Sequence, residues 1–136
     1  MRIYPIQILS FCLALSACGS ENNSGESDPE LGGSNTITLT WNAPIENVDL
    51  SCTDDLSGFE IHYGNNSEQY TNSTAISVDE ASCVDSTNVS ACGTIQVCSY
   101  VLTGLRADTW YLAVSANDNG GNQSSYSNEI IKVVSN

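Results

Sequence analysis

Hydrophobic positions along this chain follow two unlike patterns. From Ile3 to Leu15 they form a mostly apolar run, and from Thr36 onward they alternate with polar residues. Alternation with a period of two is the signature of a β-strand with one buried face. In Thr36-Ile37-Thr38-Leu39-Thr40-Trp41 the pattern predicts a strand with Ile37, Leu39 and Trp41 inward and the threonines in solvent. Pro44 closes that strand. Phe59, Ile61 and Tyr63 alternate with Glu60 and His62, so a second strand is predicted to hold His62 outward, as an exposed surface histidine.

Further strands follow. A short one is predicted over Thr74 to Val78, after the turn signal Gly64-Asn65-Asn66-Ser67. Residues 79–95 read as a polar loop and residues 45–57 as an acidic one. Alternation resumes from Gln96 to Leu102, with Cys98, Tyr100 and Leu102 on one face. Trp110, Leu112, Val114 and Ala116 form another inward set, with Tyr111 facing the other way. Asp118-Asn119-Gly120-Gly121-Asn122 reads as a hairpin turn. The last strand is predicted from about Asn128 to Val134, where Ile130 to Val134 are too continuously apolar to assign faces. No stretch carries a helical period. Six or seven short strands with frequent turn signals predict an all-β, antiparallel sandwich.

The opening segment has a different purpose. Arg2 supplies a minimal positive start, the apolar run follows, and Ser16-Ala17 supply small residues, the plan of a secretory signal of residues 1–17. Leu15-Ser16-Ala17-Cys18 resembles the lipobox of bacterial lipoproteins. That resemblance implies cleavage before Cys18 and acyl chains on it, enough lipid for firm anchoring. Gly19, rather than aspartate, follows the cysteine. By the sorting rule of enteric bacteria, the resemblance then implies a lipid-anchored protein of the cell envelope, at the outer membrane. Residues 18–35, rich in Gly, Ser, Asn and acids, are predicted to be a flexible tether, and residues 36–136 the folded domain.

Composition narrows the chemistry. The chain has 136 residues, room for one domain. Beyond the signal, sixteen acids face only Arg106 and Lys132. Such a surface repels nucleic acid and anionic headgroups, so no nucleic-acid partner is expected. Of six cysteines, Cys12 belongs to the signal and Cys18 to the anchor. Cys52, Cys83, Cys92 and Cys98 remain, an even number in a small exported domain, and are predicted to be disulfide-bonded. Zinc is disfavoured, because the four lack a Cys-x2-Cys pair and His62 is the chain's one histidine. No nucleophile and base are paired, Gly120-Gly121 precede no helix, and Asp54-Asp55 lie in a loop without an apolar pocket. No enzyme and no cofactor are expected.

Four blocks, in order, resemble a fibronectin type III domain: Leu39-Thr40-Trp41 with Pro44; Gly58-Phe59-Glu60-Ile61-His62-Tyr63-Gly64; Leu102 to Ala116; and Gly121-Asn122 with Ser125-Tyr126-Ser127-Asn128-Glu129. The resemblance covers about residues 35–135 and implies an immunoglobulin-like sandwich. It departs from the family at Trp110, where many members carry a tyrosine whose hydroxyl bonds back to the preceding loop. The insert between Val78 and Gln96 is a second departure, and the family's first strand is hard to find. The family's topology implies that the Cys52 loop emerges beside the start of the Cys98 strand. On that basis Cys52–Cys98 with Cys83–Cys92 is the preferred pairing, and Cys92–Cys98 with Cys52–Cys83 the rival. The same topology implies a shared tip for Asp49, Asp54, Asp55, Asp118 and Asn122, oxygen donors that would suit calcium.

This fold serves many functions. The expectation is a non-catalytic interaction module, anchored to the membrane through its lipid, that binds a protein or glycan partner. A structural spacer or assembly subunit, or an accessory to a polysaccharide-degrading enzyme, is the alternative. A glycan binder needs exposed aromatics, and Tyr70, Tyr111 and Tyr126 are the candidates.

Overall fold

A computed structural model describes residues 35–135 of the protein. The signal segment 1–17, Cys18 and most of the tether lie outside the described residues.

Among the described residues, seven strands follow one another: β1 (Ile37–Asn42), β2 (Leu56–Gly64), β3 (Asn72–Ser77), β4 (Ser82–Ser90), β5 (Gly93–Leu102), β6 (Asp108–Asp118) and β7 (Ile130–Val134). They form two antiparallel sheets, ordered β1-β5-β4 and β3-β2-β6-β7. The result is the antiparallel sandwich that the alternation predicts, with an immunoglobulin-like arrangement of its two sheets. Ile37, Leu39 and Trp41 of one sheet pack against Phe59, Ile61, Leu112 and Val114 of the other, all buried. Trp41 and Phe59 meet edge to face across the layers, with ring centroids 5.1 Å apart, a favourable arrangement for two quadrupoles.

Trp110 answers for its departure from tyrosine. Its indole Nε1 donates to the Arg106 carbonyl at 3.0 Å, so the nitrogen ties the strand to the preceding loop as a tyrosine hydroxyl does in other sandwiches of this kind. Lys132 is the register partner of Trp110. It is half-buried. In β7, Ile130 and Val134 turn inward, and Ile131 and Val133 outward, which settles the faces that the apolar run leaves open.

Two expectations about strands and bridges need correction. Residues 79–95 are not a loop: they contain β4, whose register with β5 slips between Asp85 and Val89. As an edge strand, β4 buries little on either face, so no alternation betrays it. The disulfides are Cys52–Cys92 and Cys83–Cys98, neither the preferred pairing nor its rival. Strand register is the reason. Pairing β4 with β5 makes Cys83 the direct partner of Cys98, and the remaining two cysteines meet at the end of the sandwich.

Candidate functional site

Strand directions gather three connections at one pole. β1 ends at Asn42, whose partner Val97 lies in the first half of β5. β4 and β5 turn over just beyond, where Ser90 faces Gly93. β6 ends at Asp118, opposite Leu56 at the start of β2. The loop 43–55, the turn at 91–92 and the turn at 119–121 therefore share a tip. The other pole holds the start of β1 and the end of β7, where Asp108 pairs with Val134.

Within the tip, residues 45–53 form a small hairpin rather than a loose loop. Thr53 N donates to Ile45 O at 2.9 Å, Asn47 N to Ser51 O at 2.8 Å and Leu50 N to Asn47 O at 2.9 Å. Asn47 is fully buried beneath this turn. Its Nδ2 donates to Ser51 Oγ at 3.0 Å, and its Oδ1 accepts from Thr53 Oγ1 at 3.3 Å. A buried amide satisfied on both sides fixes one loop conformation. Asp49 accepts from the hydroxyl of Ser51 and from its backbone N, and these bonds, the hydroxyl's first, hold its carboxyl below the ordinary carboxylate value.

The hairpin is also tied to its surroundings. Cys52–Cys92 joins it to the β4–β5 turn across a Cα separation of 5.3 Å. Asn119 N donates to Asp55 O at 2.8 Å, which adds the third connection. Among exposed polar residues such as Asp49, Asp54 and Asn122, this tip presents two aliphatic side chains: Val48 is 48% and Leu50 69% exposed. Leu50 sits at φ 68°, in the left-handed region. Such a hairpin position usually takes Gly or Asn, and a leucine there costs about 1 kcal/mol.

The family's topology places Asp49, Asp54, Asp55, Asp118 and Asn122 at this end, but they do not converge as a calcium shell. Asp118 grips Asn122 through its backbone N and its Nδ2, both at 2.8 Å. Those bonds, the Asn122 side chain's first, hold its carboxyl below the ordinary value. Asp49 is spent on Ser51. Among the described residues no group of three His, Cys, Asp or Glu side chains is placed to hold a metal ion. Asn47, Val48 and Leu50, which build and top this hairpin, carry no motif in the sequence. Their one signal is a pair of aliphatics stranded in an acidic stretch outside any alternation.

A second cluster lies on the outer face of the four-stranded sheet. His62 is buried rather than exposed, because the tilted rings of Tyr126, at 4.6 Å between centroids, and Tyr70, at 6.2 Å, lie against it. Burial holds its imidazole below the ordinary value. His62 Nε2 lies 2.9 Å from Ser115 Oγ and 4.0 Å from Glu60 Oε2. A Ser-His-acid relay needs the two ring nitrogens to face different partners, whereas here one nitrogen faces both and Ser115 is fully buried. Tyr70 and Tyr126 stand at 86° to each other, and the Tyr70 hydroxyl donates to Glu129 at 2.8 Å.

No protein-family model matches the sequence, and no curated protein matches it. Among solved structures, that of Astrotactin-2, described as a conserved vertebrate-specific and perforin-like membrane protein involved in neuronal development, is similar at 12% identity with a TM-score of 0.46. The likeness covers 74% of this chain and 19% of that one, and it carries no argument about function. The two disulfides belong to an oxidising, extracytoplasmic setting.

Proposed function

We propose that the protein is a non-catalytic, fibronectin type III-like interaction domain, anchored in a bacterial envelope by lipid on Cys18, that presents its three-loop tip to a protein partner. The observation that carries this reading is the preorganised hairpin with Val48 and Leu50 in solvent. A surface already fixed before binding loses little entropy on association. The direction of the chain fits as well. Asn35, bonded to Leu105 N at 3.0 Å, lies at the pole opposite the tip, so a lipidated tether entering there would point the tip away from the membrane. The perpendicular Tyr70 and Tyr126 offer no flat platform for a sugar ring, which favours protein over glycan.

The test uses the lipidated full chain in its own membranes. Val48→Ser combined with Leu50→Asn removes the apolar tip, and asparagine tolerates the left-handed backbone, so the fold is retained. Burying such side chains is worth roughly 1.5–3 kcal/mol each, so affinity for a captured partner should fall at least about ten-fold. Arg106→Gln, at the far pole, should leave it unchanged. Equal capture by the tip variant would favour a spacer. Separately, Cys18→Ser should move the protein out of the membrane fraction, with intact mass reporting the lost lipid; retention in the membrane would remove the anchor from the proposal.

A further inference from the structure

We propose that Cys52–Cys92 is a reducible clamp that regulates the tip, opened by a dithiol reductant of the envelope while Cys83–Cys98 stays closed. This rests on reading the tip as the binding surface. The two bridges differ in access. Cys92 and Cys83 are both half-buried, but Cys52 is exposed whereas Cys98 is fully buried in the core. A thiolate must reach a sulfur to exchange with it, and solvent offers that approach at Cys52.

They differ also in what holds the thiols together once the bond is cut. Cys83 and Cys98 are direct partners in the β4–β5 ladder, flanked by the paired Ser82–Ser99 and Val84–Val97. The sheet keeps their sulfurs adjacent, so their effective concentration stays high and the bond re-forms. Cys52 and Cys92 belong to the hairpin 45–53 and the turn beyond β4, between which no strand pairing runs. Cutting this bridge frees the two elements to part, which lowers the effective concentration and favours reduction. In the exchange, a dithiol loses two electrons and becomes a disulfide. The Cys52–Cys92 bond accepts them, and the two thiol protons of the donor end on Cys52 and Cys92.

The consequence falls on the tip. A two-stranded hairpin of nine residues is marginal in water when nothing braces it. Its remaining ties to the sandwich include Ala43 N to Gln96 O and Asn119 N to Asp55 O, at its two roots. Reduction therefore lets Val48 and Leu50 sample many positions, and the preorganisation is lost while the core persists.

The experiment takes the purified, lipidated full chain through graded dithiothreitol, traps thiols by alkylation and maps them by peptide mass. Cys52 and Cys92 should be labelled at a reductant concentration at least ten-fold below that needed for Cys83 and Cys98. At that point the far-UV circular dichroism should be unchanged, and the amides of Asn47, Leu50 and Thr53 should exchange at least ten-fold faster. The oxidised Cys52→Ser, Cys92→Ser variant should show the same fast exchange without reductant and no further change with it. Labelling of Cys83 and Cys98 first or together, loss of the sheet signal, or unchanged protection of the three amides would overturn the proposal. The binding reading fails by a different result, unaltered capture by the Val48→Ser, Leu50→Asn variant, so the two failures are distinguishable.

Discussion

Trp110→Ala should cost about 3–5 kcal/mol of folding stability, the usual loss when a large aromatic leaves a core. Trp110 is 6% exposed and packs against Tyr63 with centroids 5.8 Å apart. For a domain near 100 residues, each kcal/mol lowers the melting temperature by about 4–8 °C, so the variant should melt well below the parent. Trp110→Phe separates the two contributions. It keeps most of the ring and deletes the indole donor to Arg106 O. That lost hydrogen bond alone should cost about 1 kcal/mol. Urea titration of the three proteins checks both values. A phenylalanine variant as stable as the parent would show that the indole tie is not what fixes the loop before β6.

Leu39→Ala should be comparably damaging, at about 2–5 kcal/mol, because a fully buried leucine between two sheets leaves a cavity that the strands cannot close. Its neighbour gives the control. Thr38 is exposed on the opposite face of β1, and Thr38→Ala should cost less than about 1 kcal/mol. The pair tests the assignment of faces in β1 directly: similar losses at both positions, read from denaturation midpoints, would refute it.

The buried face of most strands is legible because their other side is wet or, over the middle of β6, carries only the small buried Ala113 and Ser115. Where a strand has a core on one side only, the side-chain period of two writes itself into the sequence. That is why alternation alone places Ile37, Leu39 and Trp41 inward, then Phe59 and Ile61, then Leu112 and Val114, all of which the folded chain buries. Where that asymmetry fails, legibility fails. β4 exposes most of both faces and looks like a loop. β7 is apolar on both, with Ile131 59% and Val133 73% exposed, so its sequence does not distinguish the faces. Alternation puts His62 on the outer face of β2, and it lies there, yet its burial depends on Tyr126, 64 residues along the chain. Local alternation has no information about that neighbour.

The sequence by itself therefore determined the β class, the inward face of most strands, and the pool of four cysteines available for bridging. Those are local properties: side-chain alternation, turn chemistry and residue type act within a few positions. The tertiary structure alone decided the partners. Which strand lies beside which, and in what register, is fixed by closing the core between the two sheets, a condition that spans the chain. The register of β4 on β5 sets Cys83 against Cys98, and that pairing in turn leaves Cys52 for Cys92. From that choice comes the braced hairpin at the tip. The exposed Val48 and Leu50 are visible as letters, but only the folded chain gives them a rigid support and a direction.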